Sequence, residues 1–530
     1  MSKLENKSEK MKESRKRIIE KLRRGKRHFP GARHYTFQAL FILLQLGLIV
    51  AWFLISRRYI AHFYMLCEFV SLCVVLYIVR EDTKASFKIP WIIVNLAFPI
   101  VGGLSYLMFG RVRFSREEQS SIKNITFRYA EAKFRTDDAM QEFSETHPWM
   151  ETQAEYIRNI AAAPIHKNTA VQYFPSGEAL LPVFLAELEK AEKFIFMEYF
   201  IVHPGVMWDS IEEILVRKAA AGVEVCFMYD SIGSFGLVPH DFVQQLQKKG
   251  IKAVEFNKLT NIFSSRFNNR DHRKICVIDG NVGFTGGLNL SDEYINHIER
   301  FGYWKDTAVM LRGDGVRNLT MQFLSLWEFM RRQEYDYTKY MPTVSCEADG
   351  YVQPYSDTPY DGEAVGEHVY RNILCRARNY AYITTPYLII DDELINALTI
   401  AAQCGVDVRI ITPGVPDKKV AYSLTRSYYE VLLRSGVRIY EYTPGFMHAK
   451  MFVSDDNCAV VGTINLDYRS LCHHFENAVW MCDVPAIADI KADMLDCFEK
   501  SKEVTLDMCR SKNIMYRIWL SILRIIAPLF

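Results

Sequence analysis

Residues 271–290, DHRKICVIDGNVGFTGGLNL, and residues 447–466, MHAKMFVSDDNCAVVGTINL, carry one pattern twice. In the first copy the pattern is His272, Lys274, Asp279, Gly286 and Asn289; in the second it is His448, Lys450, Asp455, Gly462 and Asn465. A lone His-x-Lys is ordinarily a solvated strand end. With 13 histidines in the chain, one chance match to all five positions is roughly a one-in-ten-thousand event. A second match at identical spacing marks a duplication.

The text around the two copies repeats as well. Lys193–Val202 reads as a buried strand, Trp208–Ala221 as a helix, Val223–Tyr229 as a strand, Pro239–Lys249 as a helix and Ile251–Phe256 as a strand leading to the first copy. The second half runs in the same order. It has a strand from Tyr380, a helix at Asp392–Gln403, a strand at Val406–Ile411, a helix at Val420–Ser435 and a strand at Val437–Tyr442. AAAGVEVCFMYD parallels AAQCGVDVRIITP, and KKGIKAVEF parallels LRSGVRIYEY. After each copy comes a short strand opening with a carboxylate, Asp306 in WKDTAV and Glu476 in FENAVW. The expected fold class is α/β, with two pseudo-symmetric half-domains built on parallel sheets and sharing one active site.

Two histidines and two lysines in one site suit attack on a phosphodiester. One imidazole attacks phosphorus while the other protonates the departing alkoxide and then deprotonates the incoming alcohol. Histidine fits both tasks because its unperturbed pKa lies near neutrality. Lys274 and Lys450 neutralise charge on the non-bridging oxygens, and Asn289 and Asn465 donate amide hydrogen bonds to the same phosphate. No Cys/His or carboxylate cluster stands at metal-ligand spacing, so neither metal nor other cofactor is expected.

The N-terminal region has a different character. The first 35 residues hold thirteen Lys or Arg in a chain whose net charge is only +2. They are interleaved with Glu and lack aromatics up to residue 28, which suits a helix on anionic lipid and not nucleic-acid binding. Residues 37–55 are nineteen residues without a charge, residues 59–79 form a second apolar run, and Ile89–Phe109 a third, interrupted by Pro90, Pro99, Gly102 and Gly103. Two spans and a kinked third segment keep the basic N-terminus and the downstream domain cytosolic. Twelve scattered cysteines without a CxxC pair read as buried free thiols of a reducing compartment. Tyr516–Phe530 is apolar, with Arg517 and Arg524 on one helical face, and reads either as a last helix packed on the core or as an interfacial helix on an anionic membrane.

These features resemble the phospholipase D superfamily and, within it, the bacterial cardiolipin synthases, over nearly the whole chain. The paired motifs carry the superfamily. YLMFGR with its upstream FPIVGG, ITTPYLIIDDELINAL, GTINLDYRS followed by HFEN, and the closing RIIAPLF carry the synthase branch. Two places depart from the general pattern: Gly286-Gly287, where the superfamily has Gly-Ser, and HPGVMW after Tyr199, where an acidic residue and a glycine are expected.

The resemblance implies a phosphatidyltransferase of the bacterial cell membrane, multi-pass and membrane-integral, with a cytosolic catalytic domain. Phosphatidylglycerol would give its phosphatidyl group to one histidine, release glycerol, and pass the group to a second phosphatidylglycerol. His272 is assigned as nucleophile and His448 as acid/base, with the reverse left open by the pseudo-symmetry. Asp306 and Glu476 would each orient a histidine through its far nitrogen. Asp279 and Asp455 belong to the six-residue catalytic motif set but are expected to hold loops or pair locally. His297, His473 and His474 read as ordinary surface or packing residues. The organisation is a basic segment (1–35), a membrane region (36–110), a linker (111–165), two phospholipase D-like halves (166–345 and 346–500) and a C-terminal amphipathic helix (501–530); the oligomeric state stays open. The alternatives are a hydrolytic phospholipase D, a transferase using another donor headgroup, and a non-catalytic scaffold.

Overall fold

The computed structural model describes residues 43–50, 60–110, 116–130, 136–258, 268–511 and 513–529. The basic segment 1–35 lies outside the described residues, as does the first apolar run apart from residues 43–50, which are helical. Ile60–Arg80 is one helix, and within it His62–Arg80 is long and apolar enough to cross a bilayer. No other helix among the described residues meets that measure. The third apolar run breaks into helices Ala85–Ala97 and Pro99–Ser105, followed by a π-helical turn at Tyr106–Gly110. A Cβ on Gly102 would sit 2.4 Å from the Asn95 Cα. Residues seven apart in a straight helix are about 10 Å apart, so the chain doubles back here. The Asn95 amide donates to the Ser71 carbonyl (2.8 Å) and hydroxyl (3.0 Å), a polar link between apolar helices.

The first catalytic half contributes strands β1 (Thr169–Phe174), β2 (Phe194–Tyr199), β3 (Glu224–Asp230), β4 (Lys252–Phe256), β5 (Ile275–Ile278), β6 (Val282–Gly286), β7 (Tyr303–Lys305) and β8 (Ala308–Gly313). The second contributes β9 (Tyr351–Asp357), β10 (Tyr380–Thr384), β11 (Leu388–Ile389), β12 (Asp407–Pro413), β13 (Arg438–Tyr442), β14 (Gly445–Met447), β15 (Met451–Ser454), β16 (Cys458–Gly462), β17 (Leu466–Asp467), β18 (Glu476–Cys482) and β19 (Ser501–Glu503). Two large sheets result, in the orders β1-β8-β6-β5-β2-β3-β4 and β9-β18-β16-β15-β10-β12-β13-β19. Leaving out β19, the second order repeats the first position by position.

The expected parallel architecture holds for only three strands of each sheet: β2, β3 and β4, and β10, β12 and β13. The strands that carry the repeated motif are antiparallel to their neighbours. The motif aspartates explain this difference. Asp279-Gly280 and Asp455-Asp456 have positive φ (53°, 70°, 52°, 62°) and turn the chain within three residues, a connection too short for a parallel crossover. Each half is therefore a mixed α/β sheet.

The repeated local text has a common physical cause. Gly222, Gly250, Gly405 and Gly436, with φ of 87–96°, each end a helix in the left-handed conformation. In all four the next N–H reaches five residues back to a helix carbonyl: Val223 to Lys218, Ile251 to Leu246, Val406 to Ala401 and Val437 to Leu432. This is the Schellman stop that a glycine permits. The expected helix Val420–Ser435 is two helices, Lys419–Ser427 and Tyr429–Arg434, joined at Tyr428.

Helices Val316–Arg331 and Ala486–Glu499 lie between the sheets and each touches strands of both halves. Around them a shared apolar core takes Phe196, Val309, Phe323 and Trp327 from the first half and Met447, Val461, Val479 and Met494 from the second. Burying such side chains stabilises by about 1.5–3 kcal/mol each, so the halves are held as one body.

Candidate active site

His272 and His448 stand three residues before β5 and β15, and each is tied by its backbone to the other half. The His272 N–H donates to the Phe475 carbonyl at 2.9 Å, and the Phe475 N–H returns to Arg270 at 2.8 Å. The His448 N–H donates to the Lys305 carbonyl at 2.7 Å, where β14 runs parallel to β7. Residue 476 follows Phe475 and residue 306 follows Lys305, so the carboxylates are exchanged. His272 Nδ1 lies 2.9 Å from both oxygens of Glu476, and His448 Nδ1 lies 2.6 Å from Asp306 Oδ2. An ionised carboxylate only accepts, so each Nδ1 carries the proton and each Nε2 keeps its lone pair. Both carboxylates are fully buried, and the imidazoles are 7% and 8% exposed.

The motif lysines fold back beside their histidines. Lys274 Nζ donates to the His272 carbonyl at 2.6 Å, and Lys450 Nζ donates to the His448 carbonyl and lies 2.9 Å from His448 Nδ1. Burial pushes Lys274 down to about 7 and Lys450 to about 8, against the pull of Glu476 and Asp306. Burial also holds His272 down to about 3 and His448 to about 4, with Glu476 and Asp306 opposing it and the neighbouring lysines adding to it. Glu476 and Asp306 are held below the usual carboxylate range, because the imidazoles and, for Asp306, Lys450 outweigh their burial. The lysine charges are thus lost as pH rises through 7–8, well below the ordinary 10.5. On an anionic substrate, kcat/KM is expected to fall with rising pH across that window, while kcat falls at higher pH because bound phosphate holds the protons on. A kcat/KM profile flat to about pH 9.5 would show the lysines to be unshifted.

The remaining motif residues divide into two kinds. Asn289 Nδ2 donates to Tyr294 Oη at 2.7 Å while its Oδ1 accepts from the Ile201 N–H, and the Tyr294 ring lies 5.5 Å from His448. Asn465 Nδ2 donates to Ser470 Oγ at 3.0 Å. Asn289 is thereby linked through Tyr294 to His448. Asp279 and Asp455 lie at the far ends of β5 and β15, roughly 20 Å along the chain from the histidines. Asp279 accepts from the N–H groups of Glu192, Lys193 and Phe194 (2.7–2.8 Å), and Asp455 from Arg378, Asn379 and Tyr380 (2.7–3.0 Å). Each clamps the start of a central strand, so their place in the motif is structural, not catalytic. Alanine at either position is expected to cost about 2 kcal/mol, read as a lower Tm, with turnover per folded molecule retained.

Three residues with no part in the site on the sequence reading also shape it. The buried Asp230 carboxylate accepts from the N–H of Asp271 (3.1 Å), Ile232 and Gly233, fixing the approach to His272; burial raises it to about 6. Trp304 and His474 occupy matching places, two residues before each orienting carboxylate, and lie tilted against the two motif histidines. Trp304 is 5.2 Å from His448, and His474 is 5.6 Å from His272. His474 is therefore not an ordinary surface residue, because its Nδ1 lies 3.6 Å from Glu476 Oε1. The doubled HH before FEN is the signal that could have marked it. His297 is exposed, as expected. His272, His474 and Glu476 also bring three potential ligand atoms within 4.8 Å, a grouping that sequence spacing does not disclose. The same contacts are those of a carboxylate shared by two imidazoles.

The two departures from the superfamily pattern have local explanations. A Cβ on Gly287 would sit 2.0 Å from Asp306 Oδ1, so the glycine gives the carboxylate room to reach His448. Its counterpart in the second half, Thr463, donates its hydroxyl to Glu476. In HPGVMW, Gly205 abuts Asp292, whose carboxylate accepts from the Val206 and Met207 N–H groups and caps helix Val206–Ala220.

The family described as "Cardiolipin synthase, PLD-like domain" matches residues 184–315 and 370–498, one match on each motif-bearing half. The chain belongs to the phospholipase D-like cardiolipin synthase family. "Phospholipase_D-nuclease N-terminal" matches residues 69–111. Among this family, cardiolipin synthase 2 of Bacillus anthracis is 33% identical over 85% of this chain and 88% of its own, and cardiolipin synthase 2 of Bacillus cereus 34% over the same shares. An uncharacterised protein of Streptococcus mutans is 46% identical over 86% of this chain and 99% of its own. Phosphatidylserine synthase of Haemophilus influenzae shares the fold of this cardiolipin synthase family member, with a TM-score of 0.55 at 14% identity over 72% of this chain and 99% of that one.

Proposed function

We propose that the chain is a membrane-anchored phosphatidyltransferase that makes cardiolipin from two molecules of phosphatidylglycerol. The observation that carries this reading is the pair of buried His-Lys sets, each histidine bonded to a carboxylate from the opposite half, in a chain of the cardiolipin synthase family.

His272 Nε2 attacks phosphorus as the bond to the glycerol oxygen breaks, and that oxygen takes a proton from His448 Nε2. Glycerol leaves, and a phosphatidyl-histidine remains. The terminal hydroxyl of a second phosphatidylglycerol then gives its proton to His448 and attacks phosphorus, breaking the N–P bond and restoring both imidazoles. The shorter carboxylate bond at His448, 2.6 Å against 2.9 Å at His272, supports this division, because it stabilises an imidazolium more. The imidazoles start neutral, and the phosphodiester's own charge favours protonation of the acid and of both lysines as it enters. A buried site keeps water from replacing the second lipid.

The helix His62–Arg80 and the broken apolar segment after it support membrane attachment, in keeping with substrates that stay in the bilayer. No step in this reading uses a metal. Purified chain in phosphatidylglycerol vesicles with EDTA is expected to release cardiolipin and glycerol in equal amounts. Phosphatidic acid in place of cardiolipin would move the chain to the hydrolases. Loss of turnover with EDTA, restored by a divalent cation, would overturn the metal-free mechanism.

A further inference from the structure

The C-terminal helix Ile514–Ile526 has two apolar faces, and the protein covers only one of them. Leu523 is buried, and Leu520 and Ile526 pack on the core of the second half. Ile514 (66% exposed), Met515 (70%), Ile518, Trp519, Ile522 and Ile525 stay in the open. At about 100° per residue these six fill one arc of roughly 140°, beside the packed face and not opposite it. A patch of this kind on an otherwise polar surface marks a docking site.

The other flank of the helix is basic. Arg517 and Arg524, with Arg426 from the neighbouring helix, line a cleft of about 320 Å³ that Tyr516, Leu520 and Ser521 complete. Arg426 pairs with Glu441 at 2.7 Å, Arg517 stands 3.9 Å from Glu430, and Arg524 lies over the Tyr428 ring at 4.5 Å. Glu430 is also shared with Arg434 and Arg510. Four arginines thus meet two carboxylates, and Arg524 meets neither; with Arg426, Arg517 and Arg524 against Glu430 and Glu441 in its lining, the cleft carries net positive charge. Its surroundings join the catalytic centre: the chain end at residues 527–529 touches helix Tyr468–Cys472, which lies between Asn465 and His474.

We infer that this helix is an interfacial anchor for an anionic phospholipid surface. The open apolar arc lies among the acyl chains, and the arginine cleft takes a lipid phosphate. A neutral apolar partner would match the arc but leave the cleft charge unmatched. An anionic bilayer matches both. The inference deepens the phosphatidyl-transfer reading, since it lays the catalytic half on the surface that holds its substrates, but its test does not need turnover.

Trp519 emission, taken as the difference between the wild-type chain and Trp519→Phe in lipid nanodiscs, reads contact with acyl chains directly. Brominated phosphatidylglycerol is expected to lower it about two-fold or more. The Arg517→Gln/Arg524→Gln double variant is expected to lose most of that quenching. His272→Ala should quench as the wild type does, so a failure of the catalytic reading and a failure of this one remain distinguishable. Unquenched emission would overturn the anchor. Equal quenching by brominated neutral lipid would overturn the part given to the arginines. Emission that ignores the lipid but shifts when two copies share a disc would assign the face to a dimer instead.

Discussion

Alanine at His272 or at His448 is expected to lower turnover by about 10⁴-fold or more, and the double substitution to lower it little further. Each imidazole sits on one side of a single sequence of bond changes, so removing either stops the same cycle. The two variants should nevertheless fail differently. Without His448 the nucleophile at His272 is intact, and a substrate whose leaving group needs no proton should still load the enzyme. A covalent phosphatidyl adduct on His272, stable to dilution and lost in acid, is the expected product, detectable by intact-mass measurement. The His272→Ala chain should give no adduct under the same conditions. An adduct on His448 in that chain would reverse the assignment. Each variant leaves a buried carboxylate without its partner, so a lowered Tm is expected, and turnover is to be compared per folded molecule.

The second large effect is expected from the exchanged carboxylates. Glu476→Gln and Asp306→Asn keep size and burial but replace an acceptor-only group with one that can also donate. The paired histidine can then settle with its lone pair on Nδ1, and the nitrogen facing phosphorus becomes a donor. Losses of about 10³–10⁴ in turnover are expected, with KM little changed. The position of the fault is the informative part. Glu476 lies in the second half but orients His272, so Glu476→Gln should slow adduct formation. Asp306 lies in the first half but orients His448, so Asp306→Asn should slow adduct formation from phosphatidylglycerol and the second transfer, yet spare adduct formation from a substrate whose leaving group needs no proton. A Glu476→Gln chain that forms the adduct at the wild-type rate would break the pairing.

Much of this was legible in the residues. The motif spacing singled out both histidines and both lysines, and the short strands that follow singled out Asp306 and Glu476, which the fold brings beside His448 and His272. The expected helix ends at Ala221, Lys249 and Ser435 each fall one residue before a glycine that the structure holds in the left-handed conformation. What periodicity does not carry is strand direction. A buried strand reads as the same apolar run whether its neighbour is parallel or antiparallel, and the deciding information lay in the Asp279-Gly280 and Asp455-Asp456 turns. Spacing alone put Asp279 and Asp455 in the same motif as the histidines, since a residue needed by the fold and one needed for chemistry recur alike in a duplicated motif; their expected loop-holding part is the one the hydrogen bonds display. His474 was passed over because its neighbour in space, His272, is about two hundred residues away in the chain. Asp230 was missed for the same reason: a buried aspartate at a strand end carries no mark of the loop it will hold.

The exchange of carboxylates has a bearing on how such a chain arose. A half standing alone possesses a histidine and a carboxylate that cannot meet, because each reaches outward to a partner. Two identical halves around a two-fold axis would complete both pairs at once. A symmetric dimer of such a half would therefore hold the same chemistry, and joining its two copies in one chain would cost none of it. Fusion also freed the copies to diverge, and the chain records where they did: tryptophan against one imidazole and histidine against the other, glycine behind one carboxylate and threonine behind the other. A site that began with two equivalent histidines could in this way give each a separate task.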